Sequence, residues 1–230
     1  PTGLGDEDNE LLDLPFPVLY YGAIYTKTAI VANGYLFMYQ GAPPAKYVYP
    51  NNSALGTSSL DNIIAPFWAD LDPTPTQLAP TVEPTIFYQT LGAAPSRRFI
   101  VQWHKTPLYG APAAQGHTFQ VVLHESDGRI EFSYQTMSDL GAAATIGIED
   151  GSGERYSQHS FRTNSIANGT LLTWTPTGGA AHTFSFRARV VAPATVGATL
   201  VNTATVAFGD QSRQSSASVQ VGERGAFTLY

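Results

Sequence analysis

Asp70 and Asp72 close the segment Ile63–Pro73, which reads IIAPFWADLDP, and are the chain's leading candidates for chemistry. Two residues apart on an extended segment, they project to one side, as two oxygen ligands of a hard cation such as calcium would. Further oxygens are available on Asp61, Asn62, Glu149 and Asp150. The simpler alternative makes Asp70 a turn cap that bonds its own backbone, with Pro73 ending the strand. Neither this segment nor Asp6-Glu7-Asp8 has the full spacing of a calcium loop, so no cofactor is expected, with calcium the one alternative.

The remaining reactive side chains do not assemble into a catalytic pattern. His124-Glu125 could begin a zinc-protease motif, but Gly128 stands where the second histidine is required. Gly151-Ser152-Gly153 lacks the spacing of a nucleophile elbow and reads as a turn. No glycine-rich phosphate loop with a following lysine occurs, and the chain has no cysteine for thiolate chemistry or disulfides. An enzyme is therefore not expected. Tyr39, Tyr47, Tyr49 and Tyr109 lie in or beside proline-rich loops, where tyrosine rings serve sugar stacking, protein contacts or turn packing. A subunit contact through Tyr47 and Tyr49 is the preferred reading.

The elements that must position these residues are strands. Charged residues make up 13% of the 230, aromatics 12%, and there are 21 glycines and 16 prolines. That mixture suits short strands and tight turns, and excludes helix bundles and disorder. Phe99, Val101 and Trp103 alternate with Ile100, Gln102 and His104; Phe119, Val121 and Leu123 alternate likewise, as do Ile130, Phe132 and Tyr134. Asp127-Gly128 and Asn33-Gly34 fall between such runs and predict hairpins. Ser53–Asn62 is the one place where a short helical turn is expected. Gly41–Pro50, Pro73–Pro84 and Pro107–Pro112 read as extended surface connections, and Thr175–Ala181 as a domain boundary.

Charge and hydropathy limit the partners. The net charge of −6 argues against nucleic acid, which calls for a basic face, and no apolar run is long enough to span a bilayer. Beginning at Pro1 without a signal peptide, the chain is expected to be a processed product or a piece cut from a longer one. Residues 1–179 carry a net charge of −8 and residues 180–230 a net of +2. Asp6, Glu7, Asp8, Glu10 and Asp13 crowd the start. They read either as a solvated leader over residues 1–13 or as one pole of a subunit that attracts its own copies head to tail.

One ordered set of segments carries a resemblance. Leu14-Pro15-Phe16-Pro17, Tyr20-Tyr21-Gly22, Asn33–Phe37, Ile64–Asp72, Arg98–Trp103, Phe119–Leu123, Ile130–Tyr134 and Ile146–Asp150 follow one another as they do in NIDO-type domains. The chain resembles that nidogen-type extracellular domain, and more closely its relatives in bacterial secreted proteins, over about residues 14–160. The resemblance implies an all-β, secreted, non-enzymatic module of matrix and surface proteins. Asn202–Val206, reading Asn-Thr-Ala-Thr-Val, resembles the ending of an immunoglobulin-like repeat of bacterial surfaces.

That last unit is short. Such a sandwich needs about seven strands and about 100 residues. From Leu171 five runs are visible: Leu171–Thr175, Thr183–Val191, Thr199–Phe208, Ser216–Val221 and Ala226–Tyr230. The expected organisation is an acidic leader (1–13), a NIDO-like β-sandwich (14–177) and a partial immunoglobulin-like sandwich (178–230). The expected function is a secreted structural protein of a bacterial surface or extracellular matrix. It would assemble head to tail into a filament by docking a strand or the basic C-terminal unit, with Phe227, Leu229 and Tyr230 either on a donated strand or on an ordinary terminal strand of their own sheet. The alternative is a monomeric adhesion module that binds carbohydrate or protein.

Overall fold

The computed structural model describes residues 1–43, 48–49, 51–57, 59–74, 85–176, 195–208 and 211–220. The chain divides into two units, Pro1–Gly179 and Ala180–Tyr230. The first is a β-sandwich of two antiparallel sheets. One has six strands in the order β1 (Asn9–Tyr20), β2 (Ala23–Val31), β3 (Tyr35–Tyr39), β4 (Ile63–Trp68), β9 (Thr145–Glu149) and β10 (Tyr156–Phe161). The other has five, in the order β11 (Leu171–Trp174), β8 (Ile130–Thr136), β7 (His117–His124), β6 (Arg98–Thr106) and β5 (Ile86–Leu91).

Both predicted hairpins form. Asn33-Gly34 turns β2 into β3, with Gly34 at φ 80°, and Asp127-Gly128 turns β7 into β8, with Gly128 at φ 69°. Among the described residues, Ser53–Asn62 holds no helical turn, and a single turn of 3-10 helix occurs instead at Ala113–Gln115. Leu171–Trp174 pairs with β8 and so completes the five-stranded sheet of the first unit.

The first residues are packed. Thr2 N–H donates to the Ile86 carbonyl at 2.8 Å, and Leu4 is buried in the core. Asn9–Asp13, expected in a solvated leader, form the first part of β1, because Leu12 finds the sandwich core. The acids between them stay at the rim: Asp13 pairs with Lys27 at 2.5 Å, and Glu10 accepts the Tyr88 hydroxyl at 3.1 Å. Arg97 ties the sheets together by binding both Glu125 oxygens and donating to the Pro15 carbonyl at 2.6 Å.

The middle of the six-stranded sheet (β3, β4 and β9) is buried on both faces, which is why β4 is apolar throughout rather than alternating. Its inner face joins the main core with Phe99, Trp103, Phe119 and Tyr134 of the opposite sheet. Its outer face carries a second cluster built from Tyr35, Ile63, Ala65 and Trp68 and covered by Leu55 and Leu60.

The second unit, where described, is one hairpin. β12 (Thr199–Phe208) and β13 (Gln211–Gln220) pair antiparallel over ten residues each, from Thr199↔Gln220 to Phe208↔Gln211. The runs at Thr183–Val191 and Ala226–Tyr230 lie outside the described residues.

Candidate functional site

Pro66 determines how the FWADLD segment is displayed. It has no N–H to give to a ladder, and the β4–β9 register shifts by one residue between Ala65↔Gly147 and Trp68↔Thr145. The bulge reverses the alternation. Phe67 turns inward against Phe119 at 5.4 Å, while Trp68 turns outward against Tyr35 at 5.6 Å. The buried Pro66 carbonyl accepts the Tyr134 hydroxyl at 2.7 Å.

The turn Asn33-Gly34 then holds the acids in place. Gly34 and Asn33 carbonyls accept the N–H groups of Phe67 and Ala69, and Asn33 Oδ1 accepts that of Leu71 at 2.9 Å. Asn33 Nδ2 also donates to Glu7 Oε2 at 3.1 Å, so one buried amide links the N-terminal acids to the FWADLD strand. Leu71 faces the core, leaving Asp70 and Asp72 turned outward.

Asp70 meets acids that the sequence reading did not pair with it. Asp6, Glu7 and Asp70 each place a carboxylate oxygen within 4.8 Å of the others, and Asp70 Oδ1 is buried without a hydrogen-bond partner. Burial, then the charge of Asp72, raises Asp70 above the ordinary aspartate range. Burial, then Asp72 and Asp70, does the same to Asp6; Glu7 is raised by burial against the pull of its Asn33 bond. This is a self-repelling group with the donor set of a hard-cation site: oxygens only, three carboxylates. Asp61, Glu149 and Asp150, the other suggested oxygens, form a different group at the far end of β9.

The turn-capping role belongs to Asp72, not Asp70. Asp72 Oδ1 accepts the Thr74 N–H at 2.8 Å and lies 3.3 Å from the Thr74 hydroxyl. Of the loop tyrosines, Tyr109 alone of those described is well exposed; Tyr39 is buried on β3 beside Phe37, because the second core covers it. Tyr49 is half-buried: its N–H donates to the Tyr35 hydroxyl at 3.0 Å and its carbonyl accepts the Trp68 indole at 2.8 Å. Tyr47, Phe227, Leu229 and Tyr230 lie outside the described residues.

A second surface was not singled out by sequence. The outer face of the five-stranded sheet presents one row across its strands, Phe87, Gln102, Gln120, Ser133 and Leu171, fixed by their pairing register. Two depressions meet at Gln102, one of about 250 Å³ beside Gln120, Ser133 and Gln135, the other of about 510 Å³ beside Phe87, Ile100 and His104. The signal was present in the outward half of each alternating strand; only register brings these five uncharged residues into one strip.

A family model described as NIDO related matches residues 2–186. The chain belongs to the NIDO-related family. No curated protein and no solved structure matches it. The NIDO-related match begins at Thr2, as the packing of Thr2 and Leu4 requires, and so takes in Asp6 and Glu7 with Asp70. The β12–β13 hairpin lies beyond it.

Three of the described histidines of this NIDO-related chain are engaged structurally. His117 is buried against Phe67 at 4.9 Å and its Nε2 accepts the Asp139 N–H at 3.2 Å; burial lowers its pKa and keeps it neutral. His124 bonds Glu131 at 2.8 Å, and His159 lies 3.3 Å from the Ser165 carbonyl.

Proposed function

We propose that this protein is a non-catalytic structural component of an extracellular matrix or bacterial surface that assembles with its own copies by β-strand docking. The β12–β13 hairpin carries the reading. Among the described residues its two strands pair only with each other, and an isolated two-stranded hairpin is marginal in water. Leu200 is 40% exposed and Val201 65% exposed; as neighbours on one strand they point to opposite faces, so both faces of the ladder present apolar surface. Docked strands would satisfy the edge and bury those side chains. The opposite charges of residues 1–179 and 180–230 favour head-to-tail contact, and a heterologous contact of that kind can propagate without closing.

The test is association of the chain carrying Val201→Lys, compared with the unaltered protein on a sizing column across a range of concentrations. Lysine on an exposed edge strand blocks strand addition without removing hairpin pairing. Loss of the associated species supports the reading; identical association in both chains argues against it.

The uncharged strip of the five-stranded sheet supports a second reading, a monomeric adhesion module. Amides and hydroxyls in a row, flanked by Phe87, offer the donors, acceptors and ring face that a neutral glycan uses. A glycan array with the intact chain and with Gln102→Ala and Gln120→Ala tests it. Binding lost in both variants favours the module; an array without signal removes it.

A further inference from the structure

Segment 51–57 covers the outer apolar cluster of the six-stranded sheet, and its two ends are held differently. Its start is fixed by many bonds. The Asn52 amide donates to the Trp68 and Ala143 carbonyls at 3.0 and 2.9 Å, Arg162 donates to Asn52 Oδ1 at 3.1 Å, and the Thr145 hydroxyl donates to the Ser53 carbonyl at 2.7 Å. Among the described residues, two bonds from outside the segment hold its tip. Leu55 N–H donates to Gln158 Oε1 at 2.8 Å, and Gly56 N–H donates to Glu149 Oε1. Leu55 is buried over Gly147, where an added Cβ would come within 2.8 Å of its Cδ1.

Glu149 is wholly buried, and its Oε2 has no hydrogen-bond partner. A carboxyl held this way is tolerable when neutral and costly when ionised. Among the described residues the surrounding elements supply no compensating cation. Asp61, before β4, and Asp150, after β9, are negative. Arg155 is spent on Asp150 at 2.6 Å. On β1, the Tyr20 hydroxyl accepts the Glu149 backbone N–H at 3.0 Å, and the Tyr21 hydroxyl donates to the Ile148 carbonyl at 3.3 Å. On β10, Tyr156 stands opposite Glu149 and its ring flanks Gly56, while His159 is turned to the Ser165 carbonyl. Segment 51–57 itself brings no ionisable side chain.

We propose that the Ala54–Thr57 tip is a proton-controlled flap, clamped down when Glu149 is protonated and lifted when it ionises, uncovering the apolar face around Tyr35, Ile63 and Trp68. Burial, opposed by the Gly56 bond and assisted by Asp61 and Asp150, pushes the Glu149 carboxyl up to about 7. The closed form therefore holds the proton more tightly than the open form, whose carboxyl returns towards its ordinary value of 4.5. Closure is fully supported below that value, weakens about tenfold per pH unit up to about 7, and levels off above it.

Amide hydrogen exchange of the full chain, corrected for its intrinsic pH dependence, tests the flap. Protection of the Leu55 and Gly56 amides is expected to fall on the order of a hundredfold between about pH 5 and about pH 7.5, while β6 and β7 amides keep theirs. Glu149→Gln retains the acceptor for Gly56 but cannot ionise, so its protection should stay flat. Asp61→Asn should shift the transition to lower pH, and decides the matter if Glu149→Gln does not fold. Constant protection in the native chain, the same fall in Glu149→Gln, or an unshifted transition in Asp61→Asn would overturn the proposal.

Discussion

Asp70 shows what a carboxylate contributes when its neighbours are more carboxylates. Asp6, Glu7 and Asp70 lie within 4.8 Å of one another, and none of them enters an ion pair among the described residues. Their raised pKa values mean that the folded chain holds protons more tightly than the unfolded one. Stability from this group is present below the ordinary carboxylate range and falls as pH rises through the raised values. Asp70→Asn is therefore expected to stabilise the protein at pH 7 by roughly 1 kcal/mol or less, read as a small rise in melting temperature. Calcium should raise the melting temperature of the native chain and do so less in Asp70→Asn; a chelator should reverse the rise. Melting curves unmoved by either addition would remove the cation reading. His117 pulls the other way: its lowered pKa makes stability fall as pH drops below its ordinary value of 6.5.

At the scale of elements, the turn Asn33-Gly34 and the β4 bulge act as one joint. Gly34 has φ 80°, and an added Cβ would run into the Phe67 carbonyl. Gly22 has φ 87° but open space around it. Gly22→Ala is thus expected to cost about 1–2 kcal/mol for the backbone alone. Gly34→Ala should cost that and about 1–3 kcal/mol more for the displaced strand. Equal losses in denaturant titrations would mean that the close approach is not structural. Much at this scale was legible beforehand. Alternation placed Phe99–Trp103, Phe119–Leu123 and Ile130–Tyr134 on their strands, and Asp-Gly and Asn-Gly placed two turns. The one-residue bulge at Pro66 was not legible, since alternation says nothing about a partner's register. It decides that Phe67 faces the inner core and Trp68 the outer one, the reverse of what unbroken alternation from Ile63 would give. The pairing of Asp70 with Asp6 and Glu7 was hidden for the same reason: 64 and 63 positions separate the ends of contacts that only the fold makes local.

At the scale of the whole molecule, the first unit is a two-sheet sandwich of the NIDO-related family, and the second, as described, is a hairpin with apolar residues on both faces. The resemblance read from residues 14–160 pointed to the family, while the family's match begins at Thr2, where packing draws the acidic run into the sandwich. The proposed assembly runs through this hairpin. Its most direct test is sedimentation velocity of the unaltered chain from low to high concentration, with negative-stain images of the same samples. Strand docking predicts a concentration-dependent series of species larger than one chain, appearing as linear particles. A single monomeric boundary at every concentration, with no elongated particles, would contradict it.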